Sequence, residues 1–184
     1  MSRIDIAYTA LRQAILEQAL EPGTKLPEDA IGSGFDMSRT LAREVLAKLQ
    51  FDGLVEIKRG RSARVARPSL SEADDNFHLR RTLEGEVVRR IIEHWSPDMA
   101  KDLKAHIQEE EIAAKAGKAR VSIRLAGEFH IKLAEMTGSQ LLARFVTEIV
   151  NRCSLILALY GRPHSPECAV SEHSALFDAF ETGD

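Results

Sequence analysis

The fold is decided by residues 38–67, which read SRTLAREVLAKLQFDGLVEIKRGRSARVAR. Ser38 is a favourable helix N-cap, and apolar residues recur every four positions from Leu41 to Leu49, which predicts an amphipathic helix. Two short β-type runs then flank the basic turn at 58–61, a pattern typical of a β-hairpin. The stretch therefore predicts a helix followed by a hairpin.

Two more helices are predicted upstream of this stretch. An apolar series in residues 6–16 predicts the first, which the turn at 21–23 ends. Pro27 favours the start of a short second helix, and Gly32 is expected to break it. Three helices and a hairpin wing are the order of a winged helix-turn-helix, which we assign to residues 1–67.

The remainder of the chain, residues 68–184, is predicted to be an all-helical bundle. Capping residues, prolines and glycines predict where its helices begin and end. The predicted helices cover residues 71–95, 97–116, 119–136, 141–159 and 171–181. The fold class is therefore mainly α, with an N-terminal winged helix-turn-helix followed by a helical bundle.

The composition is that of a soluble globular protein. Hydrophobic residues make up 44% and charged residues 29% of the 184 positions, which excludes a disordered or fibrous chain. No apolar run has the length of a membrane span, and the first residues do not resemble a signal peptide, so we expect a cytoplasmic protein without a membrane partner. Cys153 and Cys168 are expected to be free thiols.

The charge is unevenly distributed. The net charge is −3, yet residues 37–67 contain eight Lys or Arg against three acids. Five of these cations lie in residues 58–67, which contain no acid. Such a cluster is typical of a surface that binds phosphate groups, although a solvated basic hairpin would have the same charge.

Several motifs, in this order, resemble GntR-family transcriptional regulators with a FadR-type C-terminal effector domain, called FCD. In the first domain they are residues 21–28, Ser38-Arg39-Thr40, Arg43-Glu44, Asp52-Gly53-Leu54-Val55 and Arg59-Gly60. In the second they are Arg81-Thr82-Leu83-Glu84, Glu128-Phe129-His130, Gly138, Glu172-His173 and Gly183-Asp184. The resemblance covers nearly the whole chain.

The resemblance implies a non-enzymatic, ligand-responsive transcriptional regulator, most often a repressor in this family, that binds a pseudo-palindromic double-stranded DNA operator as a homodimer. Its recognition helix would enter the major groove, where arginine can bind guanine through two hydrogen bonds, and its wing would contact the minor groove. The DNA-binding residues implied are Ser38, Arg39, Thr40, Arg43, Arg59, Gly60 and Arg61.

One residue departs from the family pattern in this domain. Many members have a DNA-contacting arginine where this chain has Asp29. Phosphate groups repel a carboxylate, so we expect one usual contact to be lost.

The effector domain departs from the family's metal site. Many members bind a divalent metal through an Asp and a His four residues apart plus two later histidines. His130 and His173 match two of these ligands, but Ala126 stands at the Asp position, and the chain stops before the last helix of the family. A divalent metal such as zinc is therefore doubtful, and buried histidines are the competing interpretation. The natural protein is expected to be longer, or to have lost sensing.

An organic effector is the alternative ligand for this cavity. Family members often bind small carboxylates there, and Arg81 and Arg152 are the candidate arginines, together with His130 and His173. The other four histidines are expected to be solvated: His78, His94, His106 and His164.

Two other classes of function remain open from the sequence. The first is a metal-dependent hydrolase that uses Glu128, His130 and His173, although common catalytic motifs are absent. The second is a protein-interaction module that no longer senses ligand. Salt-sensitive DNA binding would distinguish both from a DNA-binding regulator.

Overall fold

The computed structural model describes residues 1–161 and 166–183. Within these ranges it contains helices and a small sheet in the order α1 (Arg3–Leu16), β1 (Lys25–Leu26), α2 (Glu28–Gly34), α3 (Arg39–Phe51), β2 (Val55–Glu56), β3 (Ala63–Val65), α4 (Leu70–His94), α5 (Pro97–Lys115), α6 (Ala119–Met136), α7 (Gln140–Tyr160) and α8 (Pro166–Thr182). The predicted fold class, a winged helix-turn-helix followed by helices, is confirmed.

The N-terminal helices and the sheet enclose one apolar core. The buried side chains of α3, which include Val45, Leu46 and Leu49, pack against α1 and the strands. The antiparallel sheet has the order β1-β3-β2, so the predicted hairpin gains a third strand. Leu26 of β1 pairs with Ala63, and a strand of two residues has no periodicity by which the sequence could reveal it.

Gly32 does not break α2, contrary to the prediction, and the helix continues to Gly34. Gly32 is buried where α2 turns towards α3, and its carbonyl accepts a hydrogen bond from the backbone N–H of Met37 (2.9 Å). A Cβ at this position would lie 2.9 Å from the carbonyl oxygen of Met37. Glycine therefore allows the backbone at Met37, in the turn between α2 and α3, to lie close to α2.

Alanine at Gly32 is expected to destabilise the protein, whereas alanine at Gly34 is expected to stabilise it. The first substitution forces the turn apart and should cost about 1–3 kcal/mol of unfolding free energy. No atom lies within 4 Å of a Cβ built at Gly34, so there the gain in helix propensity of up to about 1 kcal/mol should prevail. Urea unfolding of both variants measures the difference, and equal effects would contradict the packing role of Gly32.

The C-terminal helices enclose a second core, centred on Phe129. Around it lie buried apolar residues of α4, α5 and α7, including Ile91, Leu103 and Val146. Helix α4 starts at Leu70, one residue before its predicted start, because Ser69 caps the helix. Helix α8 starts at Pro166, five residues before its predicted start.

The two cores meet along α1, α6 and α7. Leu155 of α7 is buried with the N-terminal core, and the Asn151 side chain donates to the carbonyl of Asp52 (3.0 Å). Ion pairs join the same elements: Arg12 of α1 binds Glu128 (2.8 Å), and Arg124 binds both Glu17 (2.9 Å) and Glu128 (2.6 Å). The interface is therefore both apolar and ionic.

Candidate nucleic-acid interface and effector site

Helix α3 presents its polar side to solvent. Ser38 caps it by accepting a hydrogen bond from the N–H of Leu41 (3.3 Å), as predicted, and Thr40 is exposed beside it. Arg39 and Arg43 lie one turn apart, and the side chain of each is 66% exposed. The free chain thus leaves both guanidinium groups accessible to DNA.

Both arginines bind carboxylates of α2. Arg43 Nε donates to Glu28 Oε1 at 2.8 Å. Arg39 donates through Nε and Nη2 to the two carboxylate oxygens of Asp29. Asp29, which the sequence suggested only as a lost DNA contact, is therefore an ion-pair partner of a predicted recognition residue. These hydrogen bonds hold the pKa of the Asp29 carboxyl below its usual value.

The wing tip is the turn between β2 and β3. Arg59 and Arg61 are exposed, and the backbone N–H of Arg61 closes the turn by donating to the carbonyl of Lys58 (3.1 Å). Gly60 has φ +72°, a left-handed conformation that favours glycine. The turn thus places two cations on either side of a residue without a side chain, which permits close approach to a phosphate backbone.

The C-terminal core contains a buried carboxylate between two imidazoles. The Glu110 side chain is 2% exposed and accepts from His173 Nδ1 (2.8 Å). His106 Nε2 lies 3.3 Å from Glu110 and 2.9 Å from the carbonyl oxygen of Leu125. Since both neighbours accept hydrogen bonds, the His106 Nε2 atom carries the hydrogen.

A second carboxylate holds His130. Glu84 lies 3.0 Å from His130 Nδ1 and accepts a hydrogen bond from Arg80 Nε (2.7 Å). The His130 and His173 ring centroids are 5.2 Å apart, and Phe129 stacks on His173 at 3.8 Å. Each of these histidines therefore directs Nδ1 to a carboxylate, and within residues 1–161 and 166–183 neither Nε2 atom has a hydrogen-bond partner.

Burial and hydrogen bonding set the charges in this cluster. Burial lowers the pKa of His130, and its hydrogen bond to Glu84 offsets this only in part. Burial disfavours protonation of His106, but hydrogen bonds to Glu110 and Leu125 outweigh it and raise the pKa of His106. Burial likewise disfavours the charge on Glu110, yet hydrogen bonds from both histidines lower the pKa of this carboxyl.

The donor set does not fit the family's metal site. A catalytic or structural zinc normally has at least three protein ligands. Ala126 cannot supply one, and no group of three His, Cys, Asp or Glu side chains suited to a metal occurs in residues 1–161 and 166–183. His130 and His173 are close enough to act together, but a third ligand is missing from this part of the chain.

Both parts of the chain match family models. Residues 4–65 match the model described as bacterial regulatory proteins, gntR family, and residues 75–184 match the FCD domain. The chain belongs to the GntR family and carries an FCD domain. It is a transcriptional regulator with a helix-turn-helix DNA-binding domain, which indicates a regulatory rather than an enzymatic role.

Characterised relatives and solved structures agree with this family. The regulator is 24% identical over 178 residues to the HTH-type transcriptional repressor RspR of Escherichia coli (strain K12), an alignment that covers 96% of this chain and 78% of RspR. It is 30% identical to the HTH-type transcriptional repressor NanR of Salmonella newport (strain SL254), with 89% of this chain and 68% of NanR covered.

In structure, E. coli McbR/YncC is similar over the whole chain. The match has a TM-score of 0.84 at 19% identity and covers 88% of McbR/YncC. A GntR regulator from Rhodococcus sp. RHA1 matches with a TM-score of 0.78 at 22% identity, again over 100% of this chain and 88% of the other. These likenesses show the fold.

No helix among the described residues of the regulator is both long and apolar enough to cross a membrane.

Two predicted effector residues lie away from the histidine cluster. Arg81 is exposed on α4, and its neighbour Arg80 turns inwards to Glu84 instead. Arg152 lies at the interface between the two cores, where it binds Glu148 (3.5 Å) and lies beside Gly53. A one-residue difference on a helix turns a side chain by about 100°, so Arg81 points away from the side of α4 on which Arg80 contacts Glu84.

His106 departs from its predicted environment, whereas Glu128 does not join the histidines. His106 was expected to be solvated but is buried, and its spacing of four residues from Glu110 is the signal that could have revealed the pair. Glu128 binds Arg12 and Arg124 rather than joining His130, so the acid that a hydrolase would need is directed elsewhere. His78 and His94 are exposed as expected, and His164 lies outside the described residues.

Proposed function

We propose that the regulator is a repressor that binds a pseudo-palindromic operator as a homodimer and responds to a small carboxylate. The observation that carries the DNA-binding part is the exposed pair Arg39 and Arg43, one turn apart on the polar side of α3. Arginines in this arrangement can each bind guanine O6 and N7 in the major groove. The repressor role is supported by the printed names of RspR and NanR.

The wing and the N-cap complete the proposed DNA interface. Arg59 and Arg61 would contact phosphates or the minor groove, while Gly60 permits the backbone to approach. The hydroxyls of Ser38 and Thr40 would donate to phosphates and fix the position of α3.

Exposed apolar side chains support the homodimer. Leu70, Phe77 and Ile92 lie along one side of α4 and are 65%, 40% and 55% exposed. A stripe of this kind on a single helix is costly in water and favours association. A two-fold dimer would also place two recognition helices on the two halves of a palindromic site.

The histidine cluster is the proposed effector site. Arg80 provides a cation, and the Nε2 atoms of His130 and His173 are not used by their carboxylates. A bound carboxylate would compete with Glu84 for Arg80 and would favour the protonated form of His130. We propose no metal ligand set, because the described residues do not provide three ligands.

Helix α6 supports a coupling of the two parts. It carries Phe129 and His130 towards the proposed effector site, and Arg124 and Glu128 towards α1. A ligand that shifts α6 would change the ion pairs with Arg12 and Glu17. The ligand can alter the affinity for DNA only to the extent that it binds one position of α6 more tightly than the other.

The proposed function is tested by titrating the full chain against DNA. Duplexes are selected from a random pool, and the selected duplex and an unrelated one are compared at two salt concentrations. We expect a clear preference for the selected duplex, two chains per duplex by light scattering, and weaker binding at higher salt. Equal affinity for both duplexes would refute an operator-specific repressor.

Replacement of Arg80 by glutamine is expected to weaken the effector response, whereas Arg81→Gln should preserve it. The side chain of Arg80 is 20% exposed and lies in the cluster, while that of Arg81 is exposed. A panel of small carboxylates, screened by their shift of operator affinity in the parent, supplies the ligand. Loss of one charge-assisted contact should weaken that ligand by about tenfold or more, and equal responses of the two variants would contradict the site.

A further inference from the structure

The contact between Asp29 and Arg39 engages one defined edge of the guanidinium group. Arg39 uses Nε and Nη2 towards the two oxygens of Asp29. A guanidinium has a second edge with two parallel donors, formed by Nη1 and Nη2. Among the described residues no side chain binds Arg39 at that second edge. It therefore lies free on the exposed side of α3.

Arg43 is held in a similar way. Its Nε donates to Glu28 (2.8 Å), so its terminal nitrogens also remain available. Glu28 and Asp29 are successive residues at the start of α2, and each holds one of two arginines that lie one turn apart. The first turn of α2 thus acts as a carboxylate support beneath the face of α3 that is expected to enter the major groove.

A held arginine is better suited to read guanine than a free one. Two parallel N–H donors must meet guanine O6 and N7 at once, and an unsupported arginine loses much rotamer freedom on reaching that geometry. A bidentate carboxylate restricts the side chain before DNA arrives, and it does not occupy the edge that guanine needs. It also cancels much of the charge by which Asp29 would repel phosphates.

We propose that Asp29 is a specificity-determining positioning residue, which holds Arg39 by its Nε–Nη2 edge and presents the Nη1–Nη2 edge to a guanine of the operator. This inference rests on the proposed role of Arg39 in reading a base. It assigns a function to an acid that lies next to the proposed DNA-binding surface. Asp29 would act through Arg39 and would not itself read the base.

A competing interpretation of Asp29 predicts the opposite effect of its neutralisation on the preference for guanine. If Asp29 merely competes with DNA for Arg39 and repels phosphates, its neutralisation should raise affinity for every duplex and keep or increase the preference for guanine. If Asp29 positions Arg39, its neutralisation should lower the preference for guanine at one base pair. Total affinity cannot separate these interpretations, so the measured quantity must be the ratio of affinities for two bases at one position.

The experiment uses the full chain and a duplex selected from a random pool. Arg39→Ala first identifies the guanine whose preference depends on Arg39. The ratio of dissociation constants for A·T over G·C at that position is then measured for the parent, Asp29→Asn and Glu44→Gln. Glu44 is an exposed acid on α3 that does not bind Arg39, so its variant measures the effect of removing one negative charge near the DNA.

A bidentate arginine provides a preference for guanine of roughly 5–150-fold. We expect Asp29→Asn to lose part of this preference, so that the ratio falls by about threefold or more. Glu44→Gln should leave the ratio unchanged, and Asp29→Asn should have no effect on it in the Arg39→Ala background. An unchanged or increased ratio in Asp29→Asn, with Arg39→Ala still losing the preference, would overturn the inference alone. If Arg39→Ala changes no base preference, the proposed role of Arg39 fails and the inference fails with it.

Discussion

Arg39→Ala and Arg43→Ala are each expected to remove the regulator's preference for one guanine of its operator. Each side chain is exposed on α3, and the α2 carboxylate that holds it leaves terminal guanidinium nitrogens unused. Each arginine can therefore form two hydrogen bonds with a base edge. Loss of such a contact should reduce discrimination at that base pair by about 5–150-fold. Binding to unrelated DNA should weaken much less, because most of that affinity comes from phosphate contacts.

The matched control is Arg59→Ala in the wing. Arg59 is exposed beside Gly60 and is expected to act mainly by charge. Its loss should weaken binding to all duplexes similarly and reduce the slope of log K against log salt by about one. Titrations of selected and mismatched duplexes at several salt concentrations distinguish the two patterns. If both recognition-helix variants bind the selected duplex as tightly as the parent does, α3 is not the reading element.

The helices were predictable because their ends are chemically marked. Ser38 caps α3 as predicted, α5 begins at the predicted residue Pro97, and α6 begins and ends at the predicted residues, Ala119 and Met136. These signals are local, since a cap satisfies backbone groups within three residues of itself. The start of α4 shows the limit, because both Ser69 and Ser71 have an acid three residues later, and the structure uses the capping box that Ser69 forms with Glu72.

The candidate effector site was only half predictable. His130 and His173 were identified by resemblance to the family, and the structure brings their rings together. The carboxylates Glu84 and Glu110 were not identified as partners of His130 and His173, because a buried acid is expected only where a partner is known and these two histidines are far from them in sequence. His173 and Glu110, for example, are 63 residues apart.

Asp29 illustrates the same limit at the DNA-binding surface. From the sequence it is an acid beside Glu28 at a position where the resemblance leads one to expect an arginine, and its charge suggests only repulsion. Its partner Arg39 is ten residues later, beyond a turn between two helices, and no helical periodicity links the two positions. Whether a charge is free or paired is therefore a property of the tertiary structure rather than of the local sequence.

Removal of the Glu110 carboxylate is expected to cause the largest loss of stability. Glu110 is almost fully buried and accepts hydrogen bonds from His106 and His173. In Glu110→Ala the Nδ1 donor of His173 loses its partner and a cavity opens, so the free energy of unfolding should fall by about 3–5 kcal/mol. Glu110→Gln keeps the shape and one acceptor and should cost less. Glu109→Ala, an exposed neighbour on the same helix, should change stability by about 0.5 kcal/mol or less.

The cost of Glu110→Gln is also expected to depend on pH. Because the fold lowers the pKa of Glu110, the stabilisation from its charge is present above the unfolded value of about 4.3 and is lost as pH falls through the folded value. Because the fold raises the pKa of His106, the stabilisation from its protonation is complete below about 6.5 and is lost as pH rises through the folded value. Both groups are charged between these limits, so the cost should be greatest near pH 5.5 and smaller at pH 8.

The measurement is the difference in unfolding free energy between Glu110→Gln and the parent, from urea titrations at pH 5.5 and pH 8. The difference is informative because the unfavourable protonation of buried His130 occurs in both proteins and largely cancels. A His106→Asn variant should reduce the pH dependence of the Glu110→Gln cost, since a partner whose protonation stabilises the Glu110 charge is then absent. A cost that is equal at both pH values would mean that Glu110 stabilises the bundle through neutral hydrogen bonds and packing, and that its charge contributes little.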